Sequence, residues 1–391
     1  MTRSIGLLIN PVAGIGGPAG LKGSDGIVVQ ATARERGARQ NARERALLAL
    51  QVLATRHPAA EIITADGAMG ADAVRLSGLR PQVVYRPAGA AATTGADTTA
   101  ATAALVDAGA SLILFVGGDG TARDVAAGLG AEQPVVGVPA GVKMYSSCFA
   151  VSPAAAGALA AQWAEGALPL EQREILDVDE DQIREGRVDP RLFAMVPVPF
   201  IAGRTQSRKS ATPASDAAAV RVAAAGAIAR MTPGWLYLLG PGGTMMEVAR
   251  QLGVPKTPLG VDVVRFEGAA GNACTLLLAD ASEKQLLELI ATFTRARPTE
   301  STLRIRAVVT VIGGQGFLLG RGNQQISGRV IEALGTDPLL VVATEGKLAN
   351  LAGRPLLVDT GSRDVDLRLS GHISVITGAR SSGVYPVTAP Q

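Results

Sequence analysis

The run Gly117-Gly118-Asp119-Gly120-Thr121 sets one carboxylate among three glycines and a hydroxyl. Glycines let backbone N–H groups approach a ligand closely, and a helix starting here favours negative charge. Both features suit phosphate. A carboxylate inside a phosphate cradle repels its ligand unless it holds a proton or a metal, so Asp119 points to chemistry rather than to binding alone. The flanking elements must position it. Leu112 to Val116 is an unbroken apolar run, as expected of a strand buried on both faces of a parallel sheet, and ARDVAAGLG (122–130) is helical in character. Ligands of open α/β sheets collect at the carboxyl ends of such strands. The plainer alternative, a Gly-Asp-Gly turn between two strands, needs an alternating strand on the far side, which this sequence lacks.

Other stretches offer polar groups to the same kind of ligand. The first predicted strand ends in Asn10-Pro11, where an Asn before a small-residue loop suits a phosphate contact. Gly14, Gly16 and Gly20 mimic a dinucleotide fingerprint, but Pro11 and Pro18 interrupt the turn into a helix, so a hydride-transfer site is not expected. Lys143 lies in GVPAGVKMYSS (137–147), after the strand that follows the Asp119 loop, and is a candidate to neutralise phosphate or else a solvated surface lysine. LYLLGPGGTMMEVARQLG (236–253) reads as strand, glycine loop and helix, with Thr244 as the expected N-cap and Gly242 and Gly243 before it. IGGQGFLLGRGNQQISG (312–328) gathers Gln315, Arg321, Asn323, Gln324 and Gln325 among glycines, a set that suits a nucleotide or a polar hairpin. The acidic run Asp177, Asp179, Glu180, Asp181 reads first as a solvated loop and second as a Mg²⁺ site. The basic loop with Arg204, Arg208 and Lys209 reads as exposed and mobile.

Composition narrows the chemistry. The chain has 2 histidines, and neither His57 nor His372 sits near a cysteine or carboxylate cluster, which disfavours a His-based metal site or a Ser-His triad. Cys148 and Cys274 form no spacing motif and suit a reducing, cytoplasmic setting. Ile5 to Ile9 reads as a short strand rather than a signal peptide, and no apolar run is long enough for a membrane span. A net charge of +3 with 3% aromatic residues argues against nucleic-acid binding.

The predicted organisation is α/β. Strands at 4–9, 60–64, 82–85, 111–116 and 134–138 alternate with helices at 40–56, 95–108, 121–129 and 153–165, as in a doubly wound parallel sheet spanning 1–168. A β-rich domain is expected over 169–345, with the tail 346–391 returning to the first domain.

Taken together, GGDGTARD, the early INP segment and, more loosely, GPGGT resemble the superfamily that joins NAD kinases and diacylglycerol-type lipid kinases. With LKGSDG, VPAGVKMYS, LGVDVV, IGGQGFLLGRGNQQIS and VDTG, the chain is similar over nearly its whole length to a predicted ATP-NAD kinase subgroup that includes the X proteins of acetoin-catabolism operons. The resemblance implies an NAD kinase-like fold with the active site between two domains. It implies Mg²⁺-dependent transfer of phosphate from ATP, or from polyphosphate, to the 2′-hydroxyl of NAD's adenosine ribose. Asp119 would act as base or orienter for that hydroxyl. Asn10, Gly117, Gly118, Gly120, Thr121 and Lys143 would hold the donor's phosphates. Gly242, Gly243, Thr244, Asp262, Gln315, Arg321, Asn323 and Gln324 would face NAD. The resemblance also suggests a homo-oligomer. Where typical NAD kinases carry an Asn-Glu or Asn-Asp pair that grips NAD, this chain has VPAGVKMYS. A kinase for another hydroxyl acceptor, a small metabolite or a lipid, and a nucleotide-binding regulator without turnover are the alternatives.

Overall fold

The computed structural model describes residues 3–14, 41–87, 93–130, 132–140, 144–166, 168–177, 191–201, 217–268, 274–295, 304–321 and 323–390. Strands β1 (Ile5–Ile9), β2 (Glu61–Ala65), β3 (Arg80–Tyr85), β4 (Leu112–Gly117) and β5 (Val135–Pro139) form one sheet in the order β3-β2-β1-β4-β5. Every pairing in it is parallel. β1, β4 and β5 are buried along their whole length, which is why their apolar residues run on without alternating. Helices α1 (Ala42–Arg56), α2 (Ala71–Leu76), α3 (Gly95–Asp107), α4 (Asp119–Ala127) and α5 (Pro153–Glu165) alternate with the strands. Local chemistry sets their starts. Thr94 and Asp97 form a capping box on α3, and Ser152 caps α5 with Pro153 in its first turn. The chain runs outward from β1 to β3 and then returns to β4, so the carboxyl ends of β1 and β4 flank a topological switch point.

Strands β6 (Leu170–Asp177) and β7 (Arg191–Pro199) form an antiparallel hairpin whose Ile175, Val196 and Val198 are buried in the first core. The hairpin therefore packs with the first domain.

The second sheet has nine strands: β8 (Leu236–Leu239), β9 (Asp262–Phe266), β10 (Cys274–Leu278), β11 (Ile305–Thr310), β12 (Phe317–Leu319), β13 (Leu339–Val342), β14 (Leu356–Val358), β15 (Gly371–Ile376) and β16 (Ser382–Thr388). Their order is β10-β9-β8-β11-β13-β15-β16-β14-β12. β8, β11, β13 and β15 run parallel, and β8–β9, β9–β10 and β15–β16 are antiparallel pairs. Helices α6 (Ala217–Ile228) and α7 (Gly243–Leu252) bury Ala223, Ala227, Met245 and Val248 in one core. Helices α8 (Glu283–Arg295), α9 (Gly328–Leu334), α10 (Glu345–Ala349) and α11 (Arg363–Leu369) bury Leu286, Val330, Leu348 and Val365 in another. The tail corrects its expectation: β14, β15 and β16 extend the second sheet, because Val358, Val375 and Val387 complete its core.

One carboxylate of the tail does meet the first domain. Asp359, just after β14, accepts from Arg45 Nη1 of α1 at 2.7 and 2.8 Å and from Arg321 Nη1 at 3.3 Å. Arg321 Nη2 donates to Val151 O at 3.0 Å, and its guanidinium stacks 4.5 Å from the Phe317 ring centroid. Burial opposes ionisation of Asp359, but the two guanidiniums outweigh it and hold the carboxyl below its ordinary range.

The neighbouring Asp366 behaves oppositely. Burial pushes it up to about 6, despite hydrogen bonds from Thr360 N and Oγ1 and with Asp359 adding to the rise. The native state thus keeps a proton that the unfolded chain releases near pH 4, so stability falls as pH climbs from about 4 to 6 and the loss is complete above that. Asp366→Asn is expected to raise stability at pH 7.5 by on the order of 1–3 kcal/mol and to change little at pH 4, read from urea unfolding at both pH values.

Candidate active site

The register Ile9↔Val116 puts the end of β1 beside the end of β4. Asn10 N donates to Val116 O at 3.0 Å, so the two loops leave the sheet as neighbours. Asn10 Nδ2 donates to Thr121 Oγ1 at 2.9 Å, and Val12 N donates to Asn10 Oδ1 at 3.2 Å. Asn10 is therefore the bracket between the first loop and the glycine loop. A Cβ on Gly117 would run into the Thr121 side chain. Gly117→Ala is expected to destabilise the protein by about 1–3 kcal/mol and to push Thr121 off Asn10, measured as a lower urea midpoint with unchanged slope.

Gly118 is the N-cap of α4 and Asp119 its first residue, with a half-buried side chain. Asp119 Oδ2 accepts from Tyr145 N at 2.8 Å and Oδ1 from Ser146 N at 2.9 Å. The two backbone amides fix the orientation of the carboxylate. This resolves the oddity of an acid in a phosphate cradle: its negative charge is satisfied by the protein.

The segment that supplies those amides is itself pinned. Leu176 N donates to Ser146 Oγ and Glu174 N to Ser147 Oγ, both at 3.0 Å, which ties 144–147 to the β6–β7 hairpin. Burial, with the Asp119 charge adding to it, pushes the Tyr145 phenol up to about 12 and the buried Cys148 thiol well above its ordinary value. Both stay neutral, so neither competes with Asp119 as a base. Lys143 lies outside the described residues, as do Asp179, Glu180, Asp181, Arg204, Arg208 and Lys209. Among the described residues, no group of three or more His, Cys, Asp or Glu could hold a metal ion, and no helix is long and apolar enough to cross a membrane.

The second domain reaches this site. Gln315 Nε2 donates to Met144 O at 3.4 Å, and Leu259 packs on Tyr145 and Leu176. Because β8, β11 and β13 are parallel, their carboxyl ends bring Gly240–Thr244, Thr310 and Lys347 to one edge. Gly242, at φ +104, is the N-cap of α7, and Thr244 lies inside the helix, contrary to the expected Thr244 cap. Thr244 Oγ1 and Thr310 Oγ1 accept from Lys347 Nζ at 3.0 and 3.3 Å. Lys347 escaped sequence reading. Its signal was ATEGK directly after a β-branched run, which puts a lysine one turn into a helix capped by Thr344.

Four of the residues expected to face NAD make contacts within the fold. Asp262 is buried in an ion pair with Lys256. Arg321 belongs to the Asp359 cluster. Asn323 closes its own turn, donating to Leu318 O at 2.7 Å and accepting from Gly320 N at 3.0 Å. Gln324 Nε2 donates to Gly320 O at 3.4 Å.

A fixed carboxylate at the switch point of a parallel sheet, with Gln315 and Leu259 of a second domain against the segment that holds it, suits a two-domain α/β phosphotransferase with an alcohol acceptor. Family comparison agrees: the ATP-NAD kinase N-terminal domain model matches residues 5–168 and the ATP-NAD kinase C-terminal domain model matches residues 233–387. The chain belongs to the NAD kinase superfamily. No curated protein and no solved structure gives a significant match.

Proposed function

We propose that the protein is an ATP-dependent NAD kinase that phosphorylates the 2′-hydroxyl of the adenosine ribose to give NADP. The observation that carries the reading is the Asp119 carboxylate, held by the Tyr145 and Ser146 amides beside the Asn10–Thr121 bracket. Phosphoryl transfer asks little covalent chemistry of the protein, mainly positioning and charge stabilisation. Asp119 orients the acceptor hydroxyl and takes its proton. Asn10, Gly117, Gly118, Gly120, Thr121 and Lys143 cradle the donor's phosphates, and polyphosphate would fit the same cradle as ATP. Gly242, Gly243, Thr244 and Lys347 hold the dinucleotide's pyrophosphate, and Gln315 lies between the two loops. Mg²⁺ needs only one or two carboxylates when phosphate oxygens supply its other ligands, so few protein acids are needed to hold it beside the donor. A homo-oligomer in the cytoplasm working on free nucleotides completes the reading.

A kinase for another hydroxyl is the second reading. It is favoured by the engagement of Asp262 and Asn323 in the fold, which takes two polar groups away from a dinucleotide. Purified protein with Mg-ATP and a panel of NAD, NADH, nucleosides, glycerol and diacylglycerol, assayed for ADP release, tests both. Acceptor-dependent release with NAD supports the first. Release only with another member of the panel supports the second.

A further inference from the structure

The loop between α7 and β9 holds a buried ion pair that the proposed chemistry does not use. The side chains of Lys256 and Asp262 are each 1% exposed, with Nζ 2.5 Å from Oδ2. Lys256 Nζ also donates to Thr257 O at 2.9 Å and Gly260 O at 2.7 Å. Asp262 also accepts from Thr257 N at 3.0 Å, from Thr257 Oγ1 and from Asp280 N at 2.8 Å. The pair thus gathers both ends of a tight loop and turns two of its carbonyls inward. A Cβ on residue 260 would run into the side chains of Asp280 and Thr257, so glycine there lets the loop close this tightly. A buried ion pair is a poor device for stability, since apolar residues of similar volume often serve as well. Its distinctive yield is a defined loop shape.

That shape reaches two places. Pro258 O accepts from Gly242 N, the N-cap of α7, at 3.0 Å. Leu259 packs on Tyr145, whose backbone N–H holds Asp119. Two consecutive residues of one loop, Pro258 and Leu259, therefore connect the second glycine loop to the segment that holds the carboxylate of the first domain.

We propose that Lys256 and Asp262 are positioning residues that, given the phosphotransferase reading above, set the second glycine loop in register with Asp119 through Pro258 and Leu259. A misplacement of about 1 Å between reacting groups costs roughly 100-fold in rate, so register matters more than contact here.

The test uses the full chain as wild type, as Lys256→Met/Asp262→Leu and as Leu259→Ala. It reads melting temperature, hydrogen exchange at 144–147 and 240–244, and kcat and KM with Mg-ATP and NAD. The double variant removes both charges at once. It is expected to melt below wild type but to stay folded, because Thr257 N, Asp280 N and two carbonyls lose their partners, while kcat falls about 100-fold with KM for ATP little changed, a split that a merely structural pair would not produce. Leu259→Ala, outside the pair, is expected to lower kcat about tenfold. Exchange should quicken at both loops in both variants and stay unchanged in β1 and β4. A stable double variant with wild-type exchange and turnover overturns the proposal. Should the double variant not fold, the same readouts on Leu259→Ala decide. If wild-type protein phosphorylates no acceptor yet exchange at both loops responds to the variants, the reaction assigned above is wrong and the positioning holds.

Discussion

Asp119→Asn is expected to lower kcat about 100- to 10,000-fold while nucleotide binding survives, the range for loss of a positioned base. The substitution keeps the shape of the side chain and removes its proton affinity. It also turns an NH₂ group toward either Tyr145 N or Ser146 N, both of which now donate to carboxylate oxygens. One backbone N–H then loses its acceptor, at about 1–3 kcal/mol of stability. The melting temperature should fall modestly and the rate severely. Isothermal titration of Mg-ATP separates the two, because a lost base leaves the donor's affinity near wild type. Equal losses in binding and rate would mean that Asp119 shapes the loop and does not act on the hydroxyl.

Asp359→Ala is expected to cost about 3–5 kcal/mol of folding stability, the usual penalty for breaking a buried charge cluster on one side. Two guanidiniums, Arg45 and Arg321, would remain more than nine-tenths buried without the carboxylate that joins them. Replacing all three by apolar residues of similar volume should recover most of the loss. The pH dependence is opposite to that of Asp366. Asp359 titrates below its ordinary value in the native state, so its stabilisation is complete above about pH 4 and disappears as pH falls through the lower native value. Urea unfolding of wild type and Asp359→Ala from pH 3 to 8 checks both the size and the slope.

The parts of this molecule that can be read from its sequence are those whose signal is local. The β4 run and its GGDGT loop could be placed at a strand end because a strand buried on both faces does not alternate and because glycines mark the turn into a helix. The acceptors and donors that complete the site were not readable. Asp119 is held by main-chain amides of Tyr145 and Ser146, and a backbone N–H has no side-chain signature. The fold contacts of Arg321, Asn323 and Gln324 were not readable either, because buried turn-closing and domain-joining groups use the same amides and guanidiniums as nucleotide sites. Nothing local reveals that Lys256, six residues before Asp262, folds back onto it. The tail was misplaced for a related reason. β15 lies between β13 and β16, and β14 between β16 and β12, an order that depends on long-range pairing rather than on any pattern within 346–391.

The central claim is that Asp119 faces the 2′-hydroxyl of a dinucleotide. The most direct measurement is phosphorus NMR of the products formed from Mg-ATP and NAD by wild-type protein, with Asp119→Asn beside it. The account predicts ADP and a new 2′-phosphomonoester on the adenosine ribose in equal amounts with wild type, and neither with the variant. ADP release by wild type with the phosphate found in water or on another acceptor, and no 2′-phosphomonoester on NAD, would contradict it.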